Sequence, residues 1–185
     1  MTRRHLPLLA LAAAGLLLLA GCAPTPRGGA ESLPTASSSA VFAPLDGAVR
    51  APAASAALVD GTRVALADLW KDRALVVQFT ASWCTQCEGA EEGLRTISQE
   101  YGDAVLVVHV ALDEPVDDIR GYLDRTGAVG PVLVDRGKSI WRDYAVTEPP
   151  MTAVIDTAGG IVRMWPGGAS ADDLRTALDR VVQER

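Results

Sequence analysis

The chain of 185 residues is short of cysteine, histidine and aromatic side chains, with three Cys, two His and an aromatic share of 5%. Such a small stock of sulfur and imidazole donors leaves too few ligands for a zinc site once the first cysteine and His5 are assigned to an N-terminal leader. Basic charge is scarce as well: 17 Lys and Arg stand against 23 Asp and Glu, a net charge of −6. A chain so acidic is poorly suited to nucleic acid. Lys71 and Lys138 are the only lysines, arginine supplying every other base, and nothing functional follows from that choice. Internal repeats are missing, and so is any apolar run beyond the N-terminal one that could enter a membrane. What the chain does hold is a 49% hydrophobic content, enough for the core of one ordinary domain with extra length at one end.

The extra length is N-terminal. Arg3, Arg4 and His5 precede an apolar run from Leu6 to Ala20, about 15 residues, too short to span a bilayer but right for the core of a signal peptide. It ends in Leu19-Ala20-Gly21-Cys22. That tetrapeptide resembles the bacterial lipobox, which implies removal of residues 1–21 and acylation of Cys22, and two acyl chains suffice for stable anchoring. The alternative is an ordinary signal peptide with a chance cysteine. Without Arg3 and Arg4 the balance is 15 basic against 23 acidic residues, or −8. Thr2-Arg3-Arg4 faintly resembles a twin-arginine signal, so the export route stays open. Residues 22–56 are rich in Pro, Ala, Ser and Gly, as in Pro24-Thr25-Pro26-Arg27-Gly28-Gly29 and Ser37-Ser38-Ser39. Their composition predicts a flexible tether with an end-to-end distance of about 30 Å.

The folded domain is expected over 57–185. Asp60-Gly61, between two short apolar runs, favours a hairpin turn. Ala74-Leu75-Val76-Val77-Gln78-Phe79 is the continuous apolar run of a strand buried on both faces. Further strands are expected at 104–112, 131–134, 152–155 and 161–165, the last pair joined at Ala158-Gly159-Gly160. Helical patterns fall at 84–101, 116–126, 138–144 and 171–182. This alternation, closing with a hairpin and a helix, predicts an α/β domain: a mixed central sheet flanked by helices, with an N-terminal β-hairpin extension.

Cys84 and Cys87 carry the chemistry. Disulfide exchange needs one reachable thiolate to attack and a second thiol nearby to resolve the mixed disulfide. The strand 74–79 runs through Thr80-Ala81-Ser82-Trp83 straight into a helix, placing Cys84 at its first turn, where unpaired N–H groups and the helix dipole should lower its pKa. On that helix Cys87, Ala90, Leu94, Ile97 and Tyr101 form a core-facing stripe. Glu88, Glu91, Glu92 and Arg95 are assigned to the outer face, with Glu91 and Arg95 as a surface pair. A structural disulfide over so short a loop would constrain the unfolded chain little. His109, the single histidine after residue 21, sits in the strand run Val107-Val108-His109-Val110, where a hydrogen-bonded sheet histidine is the ordinary case. Redox exchange therefore leads, with binding of copper or another soft metal as the rival.

Phe79-Thr80-Ala81-Ser82-Trp83-Cys84-Thr85-Gln86-Cys87 resembles the active-site signature of thioredoxin-like proteins, more narrowly the TlpA/ResA type of extracytoplasmic thiol-disulfide oxidoreductase. Tyr144-Ala145-Val146-Thr147-Glu148-Pro149-Pro150-Met151-Thr152 and the Asp60-Gly61 hairpin with Leu66-Ala67-Asp68-Leu69 extend the resemblance over most of the domain. It implies a thioredoxin fold with Cys84 and Cys87 catalytic and Pro150 as a cis-proline facing them. It also implies that Trp83, Pro149 and Pro150 meet the substrate, that no cofactor or metal is needed, and that the partners are protein thiols and disulfides plus a membrane or extracytoplasmic electron donor or acceptor. Two departures stand out. Gln78 replaces the thioredoxin aspartate six residues before the first cysteine, and Ala90 replaces the glutamate that reductive members carry three residues after the second. Glu148 is the candidate acid/base group left by these losses. Thr85-Gln86 matches neither the Gly-Pro of thioredoxin nor the Pro-His of strong oxidants, so direction is open. A reductant, as in cytochrome c maturation, an oxidant of exported proteins, and a copper-binding module of the same fold are the three functional expectations; a thiol peroxidase would need a threonine three residues before the reactive cysteine.

Overall fold

The computed structural model describes residues 27–184; Cys22 and the expected signal peptide 1–21 lie outside the described residues. β1 (Val41–Phe42) is followed by the hairpin β2 (Ser55–Leu58) and β3 (Arg63–Ala65), and a single turn, α1 (Leu66–Leu69), leads into β4 (Ala74–Thr80). The chain continues through α2 (Thr85–Tyr101), β5 (Val105–Ala111), α3 (Val116–Thr126), β6 (Val132–Val134), α4 (Ser139–Asp143), β7 (Met151–Ile155), β8 (Ile161–Pro166), α5 (Ala171–Leu178) and β9 (Val182–Glu184). Seven strands form one sheet in the order β3-β2-β6-β5-β4-β7-β8. β4, β5 and β6 run parallel, while β2 and β7 join them antiparallel.

Every residue of β4 is buried, because helices cover the sheet on both sides. Leu75, Val77 and Phe79 face α1 and α4, packing with Trp70, Trp141 and Tyr144. Ala74 and Val76 face α2 and α5, with Leu94, Ile97, Tyr101, Leu174 and Leu178. The alternation of β4 therefore separates two cores. A third cluster near the C-terminal ends of the parallel strands gathers Cys84, Cys87, Ala111, Ile119, Tyr122 and Leu123. There the parallel strands end and the loops that carry the disulfide begin.

Two expectations are corrected. The segment from Arg27 to Ala56 is no free tether: it lies along the domain as a strap. Val132 N–H donates to Gly28 O, Ala51 N–H to Gly159 O and Ile161 N–H to Val49 O. Ala30 N–H donates to Asp60 Oδ2 at 2.8 Å and Leu45 N–H to Asp156 Oδ2 at 2.9 Å, while β1 pairs antiparallel with β9. Leu33, Phe42 and Leu45 supply the apolar contacts that composition obscured. The first strand of the seven-stranded sheet accordingly opens at Ser55, ahead of the expected boundary. The last helix also ends early, at Leu178, because Val181 and Val182 turn inward into the core and the chain then pairs with β1.

Candidate functional site: a disulfide at a helix start

Cys84 is the N-cap of α2, with extended backbone, and Cys87 lies in the first turn. Their sulfurs are bonded, S–S 2.04 Å. The Cys84 Sγ also accepts the Cys87 N–H at 3.1 Å, the reach of a side-chain cap, on a donor shared with the Cys84 carbonyl at 3.1 Å. The same donor and the α2 dipole would favour a negative charge on Cys84 once the bond is reduced. Cys84 is 5% exposed and Cys87 fully buried, so Cys84 is the more reachable of the two.

The loop before the pair is held from two sides. Ser82 N–H donates to Glu114 Oε2 at 2.8 Å and its hydroxyl to Oε1 at 3.2 Å, while Arg125 donates to Ser82 O at 3.1 Å and to Glu88 Oε1 at 2.7 Å. Neither Glu114 nor Arg125 stood out in the sequence, because each belongs to a different element and no motif spacing joins them to Cys84. Trp83 projects outward at 65% exposure. It borders a groove floored by Leu112, Trp141, Val146 and Pro149 and edged by Lys138, Arg142, Thr147 and Glu148. The Pro149–Pro150 peptide is cis, and Pro150 is buried against Gly168. Glu148 is exposed on the groove edge.

One assignment of the sequence is overturned. Glu91 is 1% exposed and does not form an outer-face pair with Arg95; Ala90 is the half-buried residue instead. Four residues after Cys87 and three before Leu94, Glu91 shares their stripe. It is tolerated there because its Oε1 accepts the Tyr122 hydroxyl at 2.6 Å and lies 3.1 Å from His109 Nε2. Burial works to raise the Glu91 carboxyl, but the charge and hydrogen bond of His109 and the hydroxyl of Tyr122 outweigh it and leave its pKa below the ordinary glutamate value. Tyr122 is raised, by burial first and then by the neighbouring Glu91 charge. Gln78 is fully buried on β4, its Oε1 accepting the Thr152 hydroxyl at 2.6 Å.

A family model described as Redoxin matches residues 47–178. The chain belongs to the redoxin family. This redoxin is 27% identical over 133 residues to the thioredoxin-like protein YneN of Bacillus subtilis (strain 168), spanning 70% of this chain and 77% of that one. It is 23% identical over 127 residues to the thiol-disulfide oxidoreductase ResA of Halalkalibacterium halodurans, spanning 68% and 72%. Among solved structures it resembles a putative thiol:disulfide interchange protein DsbE from Chlorobium tepidum, 26% identical with a TM-score of 0.64 over 72% of this chain and 99% of that one. The pneumococcal exposed lipoprotein thioredoxin Etrx1 from Streptococcus pneumoniae is 27% identical with a TM-score of 0.59 over 69% and 98%. With its CxxC disulfide, this redoxin is a thioredoxin-like thiol-disulfide oxidoreductase of the TlpA/ResA type.

Proposed function

We propose that this redoxin is exported, anchored through an acylated Cys22, and works as a reductant of partner disulfides outside the cytoplasmic membrane, with oxidised apocytochrome c as its substrate class. Cys84, as thiolate, attacks a partner disulfide; a partner thiolate leaves, and Cys87 then attacks Cys84 to release the second partner thiol and regenerate the internal disulfide. Reduction of that disulfide by a membrane or extracytoplasmic dithiol donor completes the cycle. Trp83, Pro149 and Pro150 would hold the partner segment in the groove beside Cys84, and no diffusible cofactor enters the exchange.

The observation that carries the reading is the disulfide at the start of α2, the Cys84 sulfur hydrogen-bonded by a helix N–H and its residue 5% exposed, Cys87 fully buried. The ordered charge, apolar run and Cys22 motif support export and anchoring; among the described residues no helix is long and apolar enough to cross a membrane. The relatives named thiol-disulfide oxidoreductase ResA support the exchange chemistry, and the reductive direction is what the TlpA/ResA-type resemblance of the cysteine motif implies.

The test is a trapping experiment. Cys87→Ser in the anchored protein, expressed in its host, should accumulate a mixed disulfide on Cys84 with an apocytochrome. Trapping a broad set of exported proteins instead would make the protein an oxidant. Equilibration with glutathione reads the same question independently: a potential near that of thioredoxin, about −270 mV, fits a reductant, and one well above the glutathione couple does not.

A further inference from the structure

Below the disulfide lies a polar layer that the exchange step as written leaves unused. Gln78 pairs with His109 on β5 and with Thr152 on β7, and all three are at most 1% exposed. Their side chains point to the α2 face, where Glu91 descends onto them. Both Glu91 oxygens lie near His109 Nε2, at 3.1 and 3.2 Å. A carboxylate only accepts, so Nε2 carries a hydrogen. His109 Nδ1 is buried without a protein partner, as are Gln78 Nε2 and the Thr80 hydroxyl. An imidazole oriented by a buried carboxylate, with its second nitrogen lacking a protein partner, is the arrangement in which histidine serves as a general base.

Cys87 and the layer share the α2 face of the sheet. Glu91 is one helical turn below it on the buried stripe of α2. Cys87 also packs in one cluster with Ala111 and Tyr122, and His109 is the residue beneath Ala111 on the same face of β5. Gln78, six residues before Cys84, cannot ionise, and Glu148 is on the surface while Cys87 is fully buried.

We propose that His109, positioned by Glu91, is the proton acceptor and donor for Cys87. When Cys87 resolves a mixed disulfide, its S–H proton passes to His109 Nδ1 and its sulfur bonds to Cys84 Sγ. The Cys84–partner bond breaks, and the partner leaves with the electron pair as a thiolate. In the reverse direction the proton returns to the Cys87 sulfur as it leaves Cys84. The imidazolium formed in the forward step is stabilised by the Glu91 carboxylate, which Tyr122 holds from α3. Among the described residues, Gln78 and Thr80 from β4 and Thr152 from β7 face the pair uncharged, and from α2 itself Arg95 adds a positive charge that acts on Glu91.

The experiment uses reduced protein and Ellman's reagent in stopped flow. The first phase is attack by Cys84 and the second is resolution by Cys87, each releasing one thionitrobenzoate. In His109→Asn the second phase should slow by about tenfold or more at pH 7 and rise in proportion to hydroxide, approaching the wild-type rate near pH 9. The first phase should stay within about twofold. Glu91→Gln, which keeps the shape and can keep the hydrogen bonds, should give an intermediate slowing with its melting temperature retained, and it decides the matter if His109→Asn does not fold. A second phase unchanged in rate and pH profile in the folded variant would overturn the proposal and leave the pair structural. Failure of the wild-type protein to react in the first phase would instead count against the exchange assignment itself.

Discussion

At the scale of the residue, the site contrasts groups that hold and groups that face outward. Trp83, 65% exposed, contributes little to the fold, so Trp83→Ala should change stability by no more than about 0.5 kcal/mol. If it meets the partner, the same change should raise KM for a protein disulfide several-fold while leaving reduction of a small disulfide untouched; equal effects on both substrates would remove it from the docking surface. Gly130 is the reverse case. Its φ is +84° and a Cβ there would fall 1.9 Å from the Val107 carbonyl oxygen, so Gly130→Ala must displace backbone. It should cost about 3 kcal/mol in chemical denaturation. Gly47, at φ +70° with open space around it, serves as the control, where Ala should cost only about 1 kcal/mol for the left-handed backbone.

At the scale of the element, α2 does two jobs with one stripe. Leu94, Ile97 and Tyr101 bury its far end against β4, β5 and α5, fixing the axis on which Cys84 and Cys87 ride. Leu94→Ala should therefore cost about 3 kcal/mol, whereas Glu92→Ala, on the exposed face, should stay within about 0.5 kcal/mol. The strands and helices of this core were legible because period 2 and period 3.6 are strong signals wherever apolar residues supply them. Glu91 was not, since a carboxylate at a stripe position reads as solvent-facing until His109 and Tyr122, from two other elements, are known to meet it. β9 was hidden for a related reason: Val181 and Val182 fit the helical period of α5, and only the partner strand β1 decides between the two. The cysteine pair and its place at a helix start could be read directly, because strand, turn and helix follow one another without interruption in sequence.

At the scale of the whole molecule, the strap is where composition misled most. Pro, Ala, Ser and Gly are what a linker contains, but a chain without periodic apolar residues can still dock when its backbone donors and acceptors find fixed partners. Several of these are carboxylates. Asp60 is lowered mainly by the Ala30 and Thr62 N–H groups, and Asp72 mainly by Arg73, the arginine that also donates to Ala36 O. Both carboxyls have folded pKa values below their ordinary ones, so the stability they add is present above about pH 4 and is lost as pH falls through the lower folded values. Protection from hydrogen exchange, taken relative to the intrinsic rate at each pH, should fall over 27–56 below about pH 4 ahead of β4 and β5. Simultaneous loss of protection would show that the strap and core unfold as one unit.

The docked strap also changes what a lipid on Cys22 would do. A free chain from 22 to 56 would let the domain wander about 30 Å from the bilayer, but with the chain fixed from Arg27 onward only four residues separate Cys22 from the domain, a reach of about 18 Å when fully extended. Arg27 and Gly28 lie against the α3–β6 connection at Gly127–Gly130, so this side of the sheet would face the membrane. β8, four strands from β6 in the sheet order, would lie about 19 Å farther along it. In acylated protein on vesicles, with Cys84 and Cys87 replaced by serine, a fluorophore at Asp124→Cys should be quenched by a headgroup-bound quencher more strongly than one at Arg163→Cys. Weak and equal quenching at both sites would return 22–56 to the role of a free tether, and the partner would then have to be sought at any height above the membrane instead of close to its surface.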